Sequence, residues 1–128
     1  MSTATRQVDA PAWLSDFYAK VDELDTEGVA AGFSTHATMR YGSGETATGQ
    51  DAIRGGLTYL FTHYRGIRHE FLAVWDTGST LMVEANVTYR TQDDREVTVP
   101  ALTVIEHRDD GVIDAMRIFI DPTPVLDG

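Results

Sequence analysis

Apolar residues follow two rhythms in this chain, and the change comes at Gly66. Before it they recur at helical spacing. Trp13, Leu14, Phe17, Val21 and Leu24 lie one, three and four positions apart, the stripe of an amphipathic helix of about four turns. Asp9-Ala10-Pro11 suits its start, and Asp16, Lys20, Asp22, Glu23 and Asp25 form its polar face. Asp25-Thr26-Glu27-Gly28 reads as a break and restart into a short second helix, Val29–Phe33, closed by a Ser34-Thr35 turn that carries His36. Thr38–Tyr41 reads as a short strand ended by Gly42-Ser43-Gly44. A third helix, Ala52–Tyr64, follows the capping stretch Thr48-Gly49-Gln50-Asp51 and carries Ile53, Leu57, Leu60, Phe61 and Tyr64 on one stripe. Gly55-Gly56 inside it suggests a close approach by another element. After Gly66 the pattern alternates through Arg68–Trp75, Leu81–Tyr89, Glu96–Glu106 and Val112–Asp121, rich in Val, Thr, Ile and aromatics and separated by Asp/Gly-type turns. Helices first and long strands second predict an α+β domain with an antiparallel meander. Residues 1–128 read as one domain with an ordered core of about 11–124. A long-stranded sheet curls, and with helices closing its end it becomes a cone around a cavity.

Strand parity sorts the side chains. Met116, Ile118 and Ile120 share one face of the last strand, and Arg117 and Phe119 the other. Val83, Ala85, Val87 and Tyr89 share the core face of an earlier strand, which turns Glu84 and Asn86 outward. His69 runs in step with Phe71 and Trp75. Leu102, Val104 and Phe119 point outward and are too apolar for water, so the outer face predicts a homodimer. Asp121 closes the last strand just before Pro122. Two readings are equally open for it: a carboxylate at the rim of an apolar cavity, with its pKa raised, or a turn cap bonded to backbone amides, with its pKa lowered.

Charge and composition narrow the chemistry. The chain has 128 residues, a net charge of −10 and a pI near 4.6, which argues against nucleic-acid and membrane-surface roles. It has no cysteine, fitting a reducing cytoplasm and excluding a thiol nucleophile. No signal peptide is read at the N-terminus. His36, His63, His69 and His107 have no metal-ligand spacing, no phosphate loop follows a strand, and no G-x-S-x-G elbow occurs. No metal or cofactor is expected. Acid–base work by Asp, Glu, His and Tyr in an apolar cavity remains.

The stretch F-Y-A-K-V-D-E-L-D-T-E-G-V-A-A-G-F-S-T-H-A-T-M-R-Y, followed by T-G-Q-D-A-I-R and the late G-V-I-D-A-M-R-I-F-I-D-P, resembles the nuclear transport factor 2-like superfamily. The similarity is greatest to its SnoaL-like polyketide cyclase and ketosteroid isomerase branch and covers Trp13 to Asp121. The resemblance implies a cone-shaped, curved antiparallel sheet whose N-terminal helices close an apolar pocket (the cystatin-like α+β barrel), and a homodimer. It places the isomerase's helix Tyr at Phe17, its base at Tyr41 and its second Asp at Thr103, all changed. It places the Arg–Asp set of limonene-epoxide hydrolases at Ala85, Val87 and Ile118, also absent. Asp121 matches the late Asp of the cyclases. Parity and resemblance together set Trp13, Phe17, Leu57, Val87, Tyr89, Thr103, Met116 and Ile118 around the ligand, with Asp121 as acid or base, Tyr41 as oxyanion donor and His69 in reserve. The implied ligand is a small apolar or polyketide/terpenoid-like molecule, undergoing cyclisation, isomerisation, dehydration or epoxide opening. The alternative is a non-catalytic binding or dimerisation module of the same fold.

Overall fold

The computed structural model describes residues 10–126 and the backbone of residues 5–7. The helical stripe becomes α1 (Ala12–Asp22), with Leu14, Phe17 and Tyr18 buried. The restart at Asp25 is real: its side chain caps α2 (Thr26–Ala30) by accepting from the Gly28 amide at 3.0 Å. The third stripe becomes α3 (Gln50–Thr62), burying Ile53, Leu57 and Phe61. The strands form one seven-stranded sheet in the order β1-β4-β5-β6-β7-β2-β3. They are β1 (Thr5–Gln7), β2 (Phe33–Tyr41), β3 (Ala47–Thr48), β4 (Tyr64–Asp76), β5 (Thr80–Thr91), β6 (Glu96–His107) and β7 (Ile113–Ile120). A last short helix, α4 (Thr123–Leu126), follows.

Several expectations change here. The second helix stops at Ala30, and Phe33 through His36 belong to β2 rather than to a helix end and turn. Alternation is lost there because β2 bulges against β7: Phe33 pairs with Ile113, yet Thr38 already pairs with Ala115. That pairing is parallel, the exception in an otherwise antiparallel sheet, and α3 and the meander form the long connection that a parallel pair requires. The third helix ends at Thr62, so Tyr64 opens β4 instead of closing the helix. In β4 a register shift between Phe71 and Ala73 moves Val74 onto the core side and Trp75 off it, so His69 and Trp75 are not in step. β7 ends at Ile120, leaving Asp121 outside the strand.

The sheet is curved and unclosed. Strands β5 and β2 are separated by β6 and β7, which in a flat sheet would hold them about 14 Å apart. Yet the Tyr89 hydroxyl on β5 and the Tyr41 hydroxyl on β2 meet at 2.7 Å, so the sheet bends to bring them together. The helices fill the concave side, where Leu14 and Ile53 are fully buried in one apolar cluster that also holds Val83, Ile105 and Ile113.

Two glycines carry opposite expectations. Gly111 has φ +83, and a Cβ there would sit 2.8 Å from Cγ of Trp13. Gly55 has nothing within 4 Å of its Cβ position and Gly56 only Met39 Cε at 3.9 Å, an ordinary contact, so neither glycine is required by a close approach. Gly111→Ala is expected to destabilise by about 1–3 kcal/mol, and Gly55→Ala to stabilise by about 0.4–1 kcal/mol. Urea unfolding midpoints measured side by side check both signs.

Candidate active site

A cavity of about 60 Å³ lies between the concave face and the helices. Phe17, Tyr18 and Val21 of α1 and Val29 of α2 face it, as do Leu57, Leu60 and Phe61 of α3. The sheet contributes Met39 and Tyr41, Ile67 and His69, Val87 and Tyr89, Ala101 and Thr103, and Met116, Ile118 and Ile120. The two-residue steps are the strand period, which is why parity found much of the wall. Among the described residues no Asp, Glu, Lys or Arg lines this cavity.

Three polar arrangements interrupt the apolar wall. The first is the phenol pair Tyr41–Tyr89. Burial raises the Tyr41 pKa to about 12, partly opposed by its bond to Tyr89. Burial first, and the neighbouring Tyr41 second, push Tyr89 higher still. Tyr64 stacks on Tyr89 with ring centroids 4.5 Å apart and is also raised by burial. The second is Tyr18, raised to about 12 chiefly by burial, with a hydrogen bond to Thr103 acting the other way. Both sets therefore present neutral donors.

The third arrangement is a histidine–carboxylate pair. His69 Nδ1 lies 2.6 Å from Asp22 Oδ1, and the His69 amide donates to Asp22 Oδ2 at 3.2 Å. One carboxylate thus grips both the ring and the backbone of His69. An ionised carboxylate only accepts, so Nδ1 carries the proton and Nε2 of the neutral ring is left with its lone pair. Tyr18 packs edge-on against the same ring at 4.7 Å. In the β4–β5 register His69 opposes Val87 and Ile67 opposes Tyr89. Tyr89 is therefore the diagonal neighbour of His69, about 7–8 Å away.

The structure brings Phe17, Tyr41, Leu57, His69, Val87, Tyr89, Thr103, Met116 and Ile118 around one cavity and leaves out two candidates. Trp13 packs over Gly111 and against the His107 ring, 4.8 Å between centroids, at a different part of the fold. Asp121 is exposed and accepts from the Thr123 amide at 3.0 Å. Hydrogen bonds from the Thr123 side chain and then its amide hold the Asp121 pKa below the usual carboxylate range. Of its two readings, the turn cap is the one observed, and the rim carboxylate with a raised pKa is not. A depressed pKa stabilises the fold above the unfolded value of roughly 3.9 and stops doing so as pH falls through the folded one. Asp121→Asn is accordingly expected to leave turnover unchanged and to alter only the acid limb of a pH–stability curve.

Tyr18 and Asp22 were missed as site residues. Tyr18 follows Leu14 by four positions and so belongs to the apolar stripe; Asp22 belongs to the polar face by type, yet it lies one turn beyond Tyr18. The resemblance put the helix Tyr at Phe17, but the hydroxyl that bonds Thr103 comes from Tyr18.

The SnoaL-like domain signature matches residues 14–116. The chain belongs to the SnoaL-like family. No curated protein matches it by sequence. Solved structures similar to this SnoaL-like domain share its nuclear transport factor 2-like fold. One is SalBIII, an epoxide hydrolase/cyclase-like enzyme of pyran ring formation in polyether salinomycin. It is 20% identical with a TM-score of 0.74, covering 87% of this chain and 89% of that one. A hypothetical protein of ketosteroid isomerase-like fold from Catenulispora acidiphila, in complex with trimethylamine, is 16% identical with a TM-score of 0.83, covering 93% and 92%. An epoxide hydrolase of M. tuberculosis like limonene-epoxide hydrolase is 16% identical with a TM-score of 0.72, covering 90% and 84%. Among the described residues of this SnoaL-like domain no helix is long and apolar enough to cross a membrane, and no group of three His, Cys, Asp or Glu could hold a metal.

Proposed function

We propose that this chain is a cofactor-independent enzyme that moves protons within a small, neutral, largely apolar substrate. The carrying observation is His69, gripped by Asp22 and one diagonal step from the phenol pair in a charge-free cavity. His69 Nε2 takes a proton from carbon or hydroxyl, and the resulting imidazolium faces the Asp22 carboxylate. A substrate oxygen receives the hydrogen bond of the Tyr41–Tyr89 pair, where whichever phenol accepts from the other keeps its own O–H to donate. Returning the proton from Nε2 regenerates the neutral ring. Cyclisation and isomerisation fit this site better than hydrolysis. Beyond His69 the described lining holds no group that would bind and activate a water separately from the substrate, whereas proton transfer within a bound molecule needs only the base and a donor. SalBIII, described as cyclase-like, offers a parallel within the fold. A panel of ketones and hydroxy-epoxides incubated in D₂O tests the reading by NMR. Deuterium uptake or ring closure that disappears in His69→Gln supports it; equal rates in both proteins sink it.

One observation favours a second reading, a binding module without catalysis. The Catenulispora protein is held with trimethylamine, and Phe17, Tyr18, Tyr41, Phe61 and Tyr89 give this cavity aromatic walls of the kind that attract organic ammonium ions. Tight calorimetric binding of trimethylammonium with no turnover across the panel would favour it.

The proposal includes a homodimer through the outer face of the sheet. Leu102 and Phe119 face each other there and are 37% and 46% exposed, with the Arg40 guanidinium 5.5 Å above the Phe119 ring. Covering them would join Glu84, Asn86 and Arg117 to the contact. Light scattering at micromolar concentration is expected to give the mass of two chains; a single-chain mass counts against it.

A further inference from the structure

Beside the cavity lies a second hollow that the proposed reaction does not use. It is a groove of about 320 Å³ between α1 and β4, lined by Ser15, Tyr18, Ala19, Asp22, His69 and Phe71. Tyr18 and His69 line both hollows, so this pair of rings, 4.7 Å between centroids, stands where the two adjoin. The cavity alone is small beside the ~300–1,000 Å³ of ordinary ligand sites, whereas the groove is several times larger.

We propose that the substrate spans both hollows, with a small neutral head in the cavity and a longer tail in the α1–β4 groove, crossing at Tyr18 and His69. This rests on the catalytic reading of His69 and adds the substrate's shape and charge. The reacting atom then lies beside His69 because that ring stands at the junction. The groove offers apolar contact through Phe71, Tyr18 and Ala19. Its charged groups are Asp22 and, when protonated, the His69 ring that Asp22 already pairs. With a net charge of −10 on the chain, the tail is uncharged or cationic, and anionic carriers such as phosphates and carboxylates are disfavoured.

Isothermal calorimetry with 2-alkanones tests this without requiring turnover. From butan-2-one to octan-2-one, affinity is expected to rise about fourfold per methylene, with no break where the cavity is full. In Ala19→Trp, which fills the groove from an exposed helix position, the rise is expected to stop after the shortest ketones, with thermal melting as the check on folding. 7-Oxooctanoate, with a carboxylate at the tail end, is expected to bind about tenfold more weakly than octan-2-one. A wild-type series that levels off at the shortest ketones overturns the proposal, as does an unchanged series in Ala19→Trp, equal binding of the keto acid, or no binding of any ketone. A normal series in a protein that never exchanges a proton sinks the catalytic reading alone.

Discussion

Turnover in His69→Gln is expected to fall by roughly 10²–10⁴-fold, the contribution of a positioned general base. Gln keeps a polar side chain of similar reach, and the His69 amide can still donate to Asp22, so the α1–β4 contact survives. What is lost is the Nε2 lone pair and the ability to hold a proton between two steps. Asp22→Asn probes the same unit from behind. An amide can still meet Nδ1, but it no longer balances an imidazolium, and its NH₂ can turn the ring to the wrong tautomer. The two changes should not add: the double variant is expected to be no slower than His69→Gln alone, because residues acting as one unit fail together. A purely structural role predicts the reverse, with unfolding midpoints shifted and turnover per folded molecule unchanged.

Tyr41→Phe is expected to reduce turnover by about 10²–10³-fold, the size of losing one oxyanion donor. Tyr89→Phe should do nearly as much, since each phenol polarises the other across their 2.7 Å bond. The same phenols set the alkaline limit of stability. Tyr41 and Tyr18 are raised from 10.0 to about 12 in the fold, so the protonated form is the one that folding favours. Their contribution is complete below pH 10, the unfolded value, and is lost as pH rises towards about 12. Stability measured from pH 9 to 12 should therefore decline, and the decline should be shallower in Tyr41→Phe. An identical alkaline limb in both proteins would show that the phenol is not held in its neutral form.

The class of fold was legible in the sequence because each periodicity has one physical meaning. A 3.6-residue stripe such as Leu14, Phe17 and Val21 can be buried only as a helix. The two-residue step of Val83, Ala85, Val87 and Tyr89 buries one face only as a strand, and all four are buried. That parity also assigned most of the cavity wall, since strand residues facing a concave sheet converge.

Local pattern does not determine position where pairing partners set the geometry. The β2 bulge and the register shift after Phe71 each depend on the neighbouring strand, and each displaces side chains that strict alternation would place elsewhere. Asp121 had the right residue type at a strand end, but its direction was decided by the Thr123 amide and hydroxyl just beyond it.

The sequence by itself determined the elements, the apolar character of the interior and the acidic exterior, because these follow from side-chain chemistry at fixed local spacing. Only the tertiary structure decided which polar groups work together. Asp22 and His69 are 47 positions apart, and Tyr41 and Tyr89 are 48 apart. Neither pair leaves a mark on local periodicity. They meet because sheet curvature and the docking of α1 close long loops of chain, a non-local consequence of burying the stripes.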